Sequence, residues 1–242
     1  MAQRNKNRYS NDYYPGYRYP KILIGHVVWL YHRFMLSLRD ISEILLVREI
    51  VLSHETIREW NLEFGQTYAN DIKRRAPRCG DKWHMDEMCL VMKGKKHWLW
   101  RAVDQDGYDL DILLQSRRNK KAAKRFFRKL LKGLKYTPRV IISDKLLSYG
   151  AAKTEILPGI EHRQHKGLNN RAENSHQPTR QQEKQMRKFK SPKQAQRFLS
   201  AHSQVNNLFG HQRYKIAAND QRALLLSAKI QWQEIVMQAK CA

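Results

Sequence analysis

The chain has 242 residues, of which 41% are hydrophobic and 10% are aromatic, a composition that can build a packed core and excludes a disordered chain. Its 46 Lys and Arg residues outnumber its 22 Asp and Glu residues, for a formal net charge of +24 at pH 7. So large a positive charge favours a polyanionic partner, above all nucleic acid. The sequence contains no long apolar run and no lipidation signal, so we expect no membrane association.

The three cysteines, Cys79, Cys89 and Cys241, are scattered along the chain, and no two of them form a C-x-x-C pair. This spacing supports neither a zinc ribbon nor a disulfide framework. It is typical of a protein of a reducing compartment and predicts a cytoplasmic location.

The first 70 residues change from an irregular tail to a helical pattern. Residues 1–19 mix Arg, Asn and Tyr with Pro and Gly and follow no period, which predicts a mobile tail that either stacks on nucleic acid or is a solvated leader. Over residues 20–70, apolar residues recur at helical spacing, and Ser37 and Ser53 are typical N-caps. Three short helices, the last two joined by a tight link, predict an all-α helix-turn-helix domain.

Polar side chains gather at the start of the third predicted helix, where a recognition helix meets base edges. They are His54, Glu55 and Arg58. A three-helix bundle without any groove contact has the same pattern, and the net charge favours the DNA-binding interpretation.

The pattern changes again after a polar, basic stretch at residues 71–81, which we interpret as a linker. Residues 82–200 begin with three strands joined by short turns, continue with a basic amphipathic helix and a short apolar strand, and then alternate helix and strand. This order predicts an α/β, ribonuclease-H-like (integrase-type) catalytic core. Residues 201–242 read as amphipathic helices, which either dock on this core or pair two subunits.

Two adjacent acids, Asp86 and Glu87, interrupt the first predicted strand. Strand alternation directs them to opposite faces, so we expect that they cannot share one site. Alternation does not choose between them, and either acid could instead form a salt bridge with one of the many nearby Lys and Arg residues.

Two further acids follow in the chain. Asp144 ends an apolar strand, a position where α/β sheets gather ligands and where turn residues are also common. Glu173 lies three residues after Asn170, which predicts a capping box, and Pro178 predicts that this helix is short or bent. A ribonuclease-H-like order brings an acid of the first strand, Asp144 and Glu173 to one point, where carboxylate oxygens would suit Mg²⁺.

The segments "WHMDE", "SDK" and "NNRAE" resemble the DDE transposases of bacterial insertion sequences, specifically the insertion-sequence-six family. The resemblance implies that Asp86, Asp144 and Glu173 are the catalytic acids and hold two Mg²⁺ ions, for which Mn²⁺ can substitute. It also implies that Arg180, seven positions after Glu173, contacts DNA. Lys145, beside Asp144, either contacts phosphate or is a solvated flank.

The family resemblance further implies a transposase that binds the terminal inverted repeats of an insertion sequence, cleaves them and transfers the strand into target DNA. Its partners would be double-stranded DNA and further copies of the chain, in a homodimer or higher assembly, and its location would be the nucleoid of the bacterial cytoplasm. Two alternatives stay open: a catalytically silent helix-turn-helix regulator, and a nuclease of the same fold that cuts without joining.

Overall fold

The computed structural model describes residues 12–144, 146–165, 167, 169–210 and 216–239. These residues form two compact units, one drawn from Met1–Arg75 and Gln204–Ala242 and the other from Ala76–Ser203. The elements in chain order are α1 (Lys21–Arg33), α2 (Leu38–Leu46), α3 (His54–Arg75), β1 (Lys82–Met92), β2 (Lys95–Asp104), β3 (Asp109–Gln115), α4 (Lys120–Leu134), β4 (Val140–Ser143), α5 (Leu147–Ile156), β5 (Glu161–Gln164), α6 (Asn170–Gln185), α7 (Pro192–Phe209) and α8 (Ala218–Gln238). In the part of the chain that the model describes, no helix is both long enough and apolar enough to cross a membrane.

The first unit is helical, and two of its helices, α2 and α3, begin at the predicted caps. The Ser37 hydroxyl accepts from the Asp40 backbone N–H at 3.1 Å, and the Ser37 backbone N–H donates to the Asp40 carboxylate at 2.7 Å, which makes a capping box at the start of α2. Ser53 accepts from the Thr56 backbone at 3.1 Å at the start of α3. Because each cap satisfies a backbone N–H that the helix leaves without a partner, both helix starts are fixed by local sequence.

The C-terminal helix belongs to this same unit. Trp232, Ile235 and Val236 of α8 are buried in one core with residues of α1 and α3, including Phe64 and Tyr68. The helix α3 continues to Arg75, and therefore extends into the segment 71–81 for which we predicted a linker.

The second unit contains a five-stranded sheet with the order β3-β2-β1-β4-β5. The pairs β1–β2 and β2–β3 are antiparallel, and the pairs β1–β4 and β4–β5 are parallel. This is the strand order of ribonuclease-H-like folds, so the predicted fold class is confirmed. A turn at Asp106-Gly107 joins β2 to β3, and Gly107 has the positive φ of 91° that favours glycine in a hairpin turn.

The two faces of this sheet are covered differently. On one face, Phe126, Phe127 and Leu130 of α4 pack in a core with Trp83 and Trp100 of the sheet. On the other face, α6 packs against β1 and β2. The central strand β1 therefore sends alternate side chains toward α4 and toward α6.

Candidate active site

Three carboxylates meet where β4 ends beside β1. Asp86, Glu87 and Asp144 each have an oxygen within 4.8 Å of an oxygen of the others. The parallel pairing of β1 with β4 ends at Met85 and Ser143, so beyond Met85 no strand among the described residues pairs with this edge of β1. The expectation that Asp86 and Glu87 cannot share one site is wrong: their side chains leave opposite faces of β1, but both reach its open edge, where Asp144 lies.

Asp86 lies on the α6 side of the sheet and is half-buried. Its Oδ2 atom is 3.2 Å from Nε2 of His176, a buried side chain of α6. Burial lowers the pKa of His176, although the nearby Asp86 carboxylate acts in the opposite direction. A histidine with a lowered pKa is neutral at pH 7, so it orients Asp86 without neutralising its charge.

Glu87 lies on the α4 side and is buried. Arg118 Nε donates to its Oε1 at 2.6 Å. Burial raises the pKa of Glu87 to about 7 and the charge of Asp144 adds to the rise, whereas Tyr149 and Arg118 oppose it. The Arg118 guanidinium also lies 3.7 Å from Asp144 and 4.9 Å from the centre of the Trp98 ring, so Glu87 already has a cationic partner.

Asp144 has a local role as well as its position in the cluster. Its Oδ1 accepts from the Leu146 backbone at 3.0 Å, so it fixes the turn that follows β4, as residues of this type commonly do. The remaining carboxylate oxygen faces the cluster, where Arg118 approaches it.

The start of α6 differs from the predicted capping box. The N-cap is Asn169, and its side chain makes no bond to the helix; instead its amide Nδ2 donates to the Met85 carbonyl at 2.9 Å. This contact ties the helix to β1 directly before Asp86. The tertiary contact competes with local capping and replaces it, because a buried amide needs a partner.

Glu173 and Arg180 are both exposed on α6. A separation of seven residues, nearly two turns, puts them on the same side of the helix. Glu173 lies one turn before His176, the residue that contacts Asp86, but among the described residues it is not one of the acids whose oxygens lie within 4.8 Å of one another.

The helix α6 continues through Pro178, and a buried arginine supports it there. Proline removes one helical hydrogen bond, and Arg101 of β2 donates to the Ser175 carbonyl and, at 2.7 Å, to the Thr179 hydroxyl on either side of the proline. Arg101 lies opposite Asp86 in the β1–β2 register. Its charge is balanced by Asp109, 3.7 Å away.

The residues predicted to read DNA bases lie in the helical unit. His54, Glu55 and Arg58 are exposed at the start of α3. Glu55 pairs with Arg58 at 2.6 Å and lies 3.5 Å from His54, and the Arg58 contact lowers the pKa of Glu55. Lys145 lies outside the described residues.

Three functional neighbours of the acids were not predicted from the sequence: Arg118, His176 and Arg101. Arg118 stands next to Asn119, the N-cap of α4, in a run of basic residues where no spacing distinguishes it. The sequence does offer a signal for His176: it follows Glu173 by three residues, and residues three apart lie on the same face of a helix.

The carboxylates fit a divalent cation, because hard oxygen ligands at short mutual distance suit Mg²⁺ and similar ions. Burial is the main cause of the raised pKa of Glu87, and the negative charge of Asp144 adds to it. A bound cation would stabilise such a cluster.

Comparison with known proteins agrees with this chemistry. A family model described as a DDE domain, of the IS240 type, matches residues 80–212. The transposase for insertion sequence-like element IS431mec of Staphylococcus aureus is 32% identical over 170 residues, which cover 68% of this chain and 75% of that protein. The transposase for insertion sequence element IS257 in transposon Tn4003, also of Staphylococcus aureus, has the same identity and coverage.

Among solved structures, the HTLV-2 integrase catalytic core domain in complex with magnesium aligns with a TM-score of 0.39 and 15% identity, over 55% of this chain and 88% of that one. At so low a similarity the fold assignment rests on the strand order instead. The family model covers more than half of the chain and matches the segment that carries Asp86, Asp144 and Glu173, and the chain therefore belongs to the DDE transposases of bacterial insertion sequences.

Proposed function

We propose that this transposase binds the terminal inverted repeats of its insertion sequence, cleaves the DNA at their ends and joins the freed strand to target DNA. The observation that carries the proposal is the group of carboxylates at the open edge of β1, in the family whose members depend on such acids. The net charge of +24 suits a DNA substrate.

In this proposal Asp86, Asp144 and Glu173 hold two Mg²⁺ ions, and Mn²⁺ can substitute because it accepts the same oxygen ligands. When bound, such a pair of ions stabilises the attacking and the leaving oxygen of a phosphoryl transfer. His176 orients Asp86, the turn at Leu146 orients Asp144, and Asn169 and Arg101 hold the helix that carries Glu173. Arg180, on the Glu173 side of that helix, would contact phosphate.

We assign the third ligand to Glu173 instead of Glu87, although Glu87 belongs to the cluster. Arg118 donates to Glu87 and the carboxylate is buried, so its charge is compensated by the protein itself. Glu173 is exposed on the same helix as His176, and an exposed acid can turn toward a cation without losing an ion pair.

The helical unit would supply recognition of the inverted repeat. His54, Glu55 and Arg58 lie exposed at the start of α3, as side chains that read a major groove must. Lys145, beside Asp144 in the chain, would add a phosphate contact. We expect a homodimer or larger assembly, and the exposed Leu224, Leu226 and Ile230 of α8 support it because apolar surface of this kind is common at protein interfaces.

The test is a nicking and joining assay with Mg²⁺, a labelled duplex that carries the inverted repeat and a supercoiled target, run with the wild-type chain and the Asp144→Asn variant. Joined product from the wild type alone is the expected result. Nicks without joined product would instead indicate a nuclease. Binding without nicks by either protein would indicate a regulator and contradict the assigned metal ligands.

A further inference from the structure

The outer face of α4 carries a row of exposed cations. Lys121, Arg125, Arg128 and Lys132 follow one another at intervals of four, three and four residues, so they lie on one side of the helix. The opposite side of α4 is buried against the sheet. We call these four residues the α4 stripe.

Nearby acids do not neutralise the α4 stripe. Glu155 pairs with Lys120 and Lys124, and Asp111 pairs with Lys129, so the acids beside the helix already have other partners. Within the described ranges, none of the four stripe residues forms an ion pair at 4.0 Å or less. Like charges three and four residues apart repel one another and destabilise a helix, so the arrangement favours an anionic partner.

The α4 stripe begins three residues after Arg118, the residue that contacts the acid cluster. Arg118, which contacts Glu87 and Asp144, stands directly before Asn119, and the Asn119 side chain fixes the first turn of α4 by accepting from the Ala122 backbone at 3.1 Å. The helix then extends for 15 residues, which is about 22 Å at the usual helical rise. A duplex bound along the stripe would therefore run toward the end of α4 where Arg118 contacts the acids.

The dimensions suit a nucleic-acid backbone. From Lys121 to Lys132 the stripe spans about 16 Å, the length of about five base pairs of duplex DNA at 3.4 Å per pair. Exposed Lys and Arg side chains along one side of a helix suit contacts to successive phosphates, which position the DNA and carry no sequence information. The same face of a second copy of this chain would repel it.

We propose that the α4 stripe binds the phosphate backbone of duplex DNA next to the site of cleavage. This deepens the proposed function and rests on it, because the acids must act on DNA for the stripe to guide DNA to them. Because phosphate contacts do not depend on sequence, we assign the stripe to the DNA that flanks the cleavage site.

The experiment measures binding to a duplex that lacks the inverted repeat, by fluorescence anisotropy, from about 50 to about 200 mM salt. All proteins carry Asp144→Asn, and Mg²⁺ is left out, so a failure of the cleavage chemistry cannot affect the result. The test variant is K121Q/R125Q/R128Q. The matched control is K93Q/K95Q/K96Q, which removes three positive charges from the exposed end of the β1–β2 hairpin.

The proposal predicts that the test variant lowers the slope of log affinity against log salt by about 2.7, the value for three lost phosphate contacts, and that the control leaves it nearly unchanged. The conservative variant R125K/R128K should keep the wild-type slope, because backbone binding depends on charge. Circular dichroism melting of each variant separates lost binding from lost folding.

Two results would overturn the proposal. Equal losses in the test variant and the control would mean that only total charge matters. Unchanged DNA binding in the test variant would mean that the stripe does not bind DNA. If the same variant also binds poly-glutamate more weakly, the partner of the stripe would be an acidic protein.

Discussion

Asp86 and Glu87 are neighbours in β1, but the surroundings of their two carboxylates differ in burial and in charge. On the α6 side, Asp86 is half-buried beside a histidine whose pKa is lowered, so its negative charge has no full compensation. On the α4 side, Glu87 is buried against Arg118. One strand therefore supplies two acids with different roles. Asp86 keeps its charge accessible and can bind a cation, whereas Glu87 has an internal partner and stabilises the surrounding structure.

The largest effect should come from Asp86. Replacement by Asn keeps the shape of the side chain but removes the charge, and we expect DNA cleavage to fall by more than about 10³-fold with little change in the free energy of unfolding. Cleavage of the labelled inverted repeat at saturating Mg²⁺ measures the first quantity, and urea denaturation the second. A rate within tenfold of wild type would mean that Asp86 is not a metal ligand.

Arg101 should give the next largest effect, because it supports the α6 side of the site. Arg101→Met removes the cationic partner of the half-buried Asp109, which still accepts from the Ser203 hydroxyl at 2.8 Å, and we expect the free energy of unfolding to fall by about 3 kcal/mol. Cleavage should fall as well, since α6 loses the hydrogen bonds from Arg101 on either side of Pro178.

The double variant R101M/D109N separates these two consequences. Removing the charge of Asp109 should restore part of the stability, as urea denaturation would report, while cleavage at a temperature well below unfolding stays low. Recovery of both together would mean that Arg101 contributes stability alone and does not position α6.

His176 should have a smaller effect, confined to the metal requirement. Without the imidazole beside it, Asp86 is less well oriented, and His176→Ala should raise the Mg²⁺ concentration for half-maximal cleavage about 10–100-fold, as losses of groups that orient metal ligands usually do. His97→Ala, on the distant part of β2, is the control. An unchanged Mg²⁺ requirement in His176→Ala would contradict the orienting role.

The sequence predicts that Asp86 and Glu87 lie on opposite faces of β1, but it does not predict that their carboxylates meet. Strand alternation correctly separates the faces of Asp86 and Glu87, and apolar periodicity predicts the strands whose order defines the fold. The fold itself brings the two acids together again, because β4 stops at Ser143 and leaves the edge of β1 open. The length of one strand relative to its neighbour is a tertiary property that no local pattern contains.

The supporting contacts were unpredictable for a related reason. Arg118 reaches Glu87 across 31 positions, and Arg101 reaches Ser175 across 74. A chain with 46 Lys and Arg residues offers many equivalent partners for a buried acid, so only the packed structure selects one. The predicted capping box at Asn170 is wrong because the N-cap is Asn169, whose side chain bonds to β1 instead of to its own helix.

Replacement of Glu87 should have the smallest effect on activity. This prediction is the sharpest test of whether Asp86, and not Glu87, binds the cation. Glu87→Gln keeps an oxygen that can accept from Arg118 but removes the charge, so the ion pair weakens while the contact remains. We expect cleavage to stay within about tenfold of wild type and the free energy of unfolding to fall by about 1–2 kcal/mol, measured by urea denaturation beside Asp86→Asn. If Glu87→Gln instead abolishes cleavage without loss of stability, Glu87 would be a metal ligand, and Arg118 would then be the group that must leave the site when the cation binds.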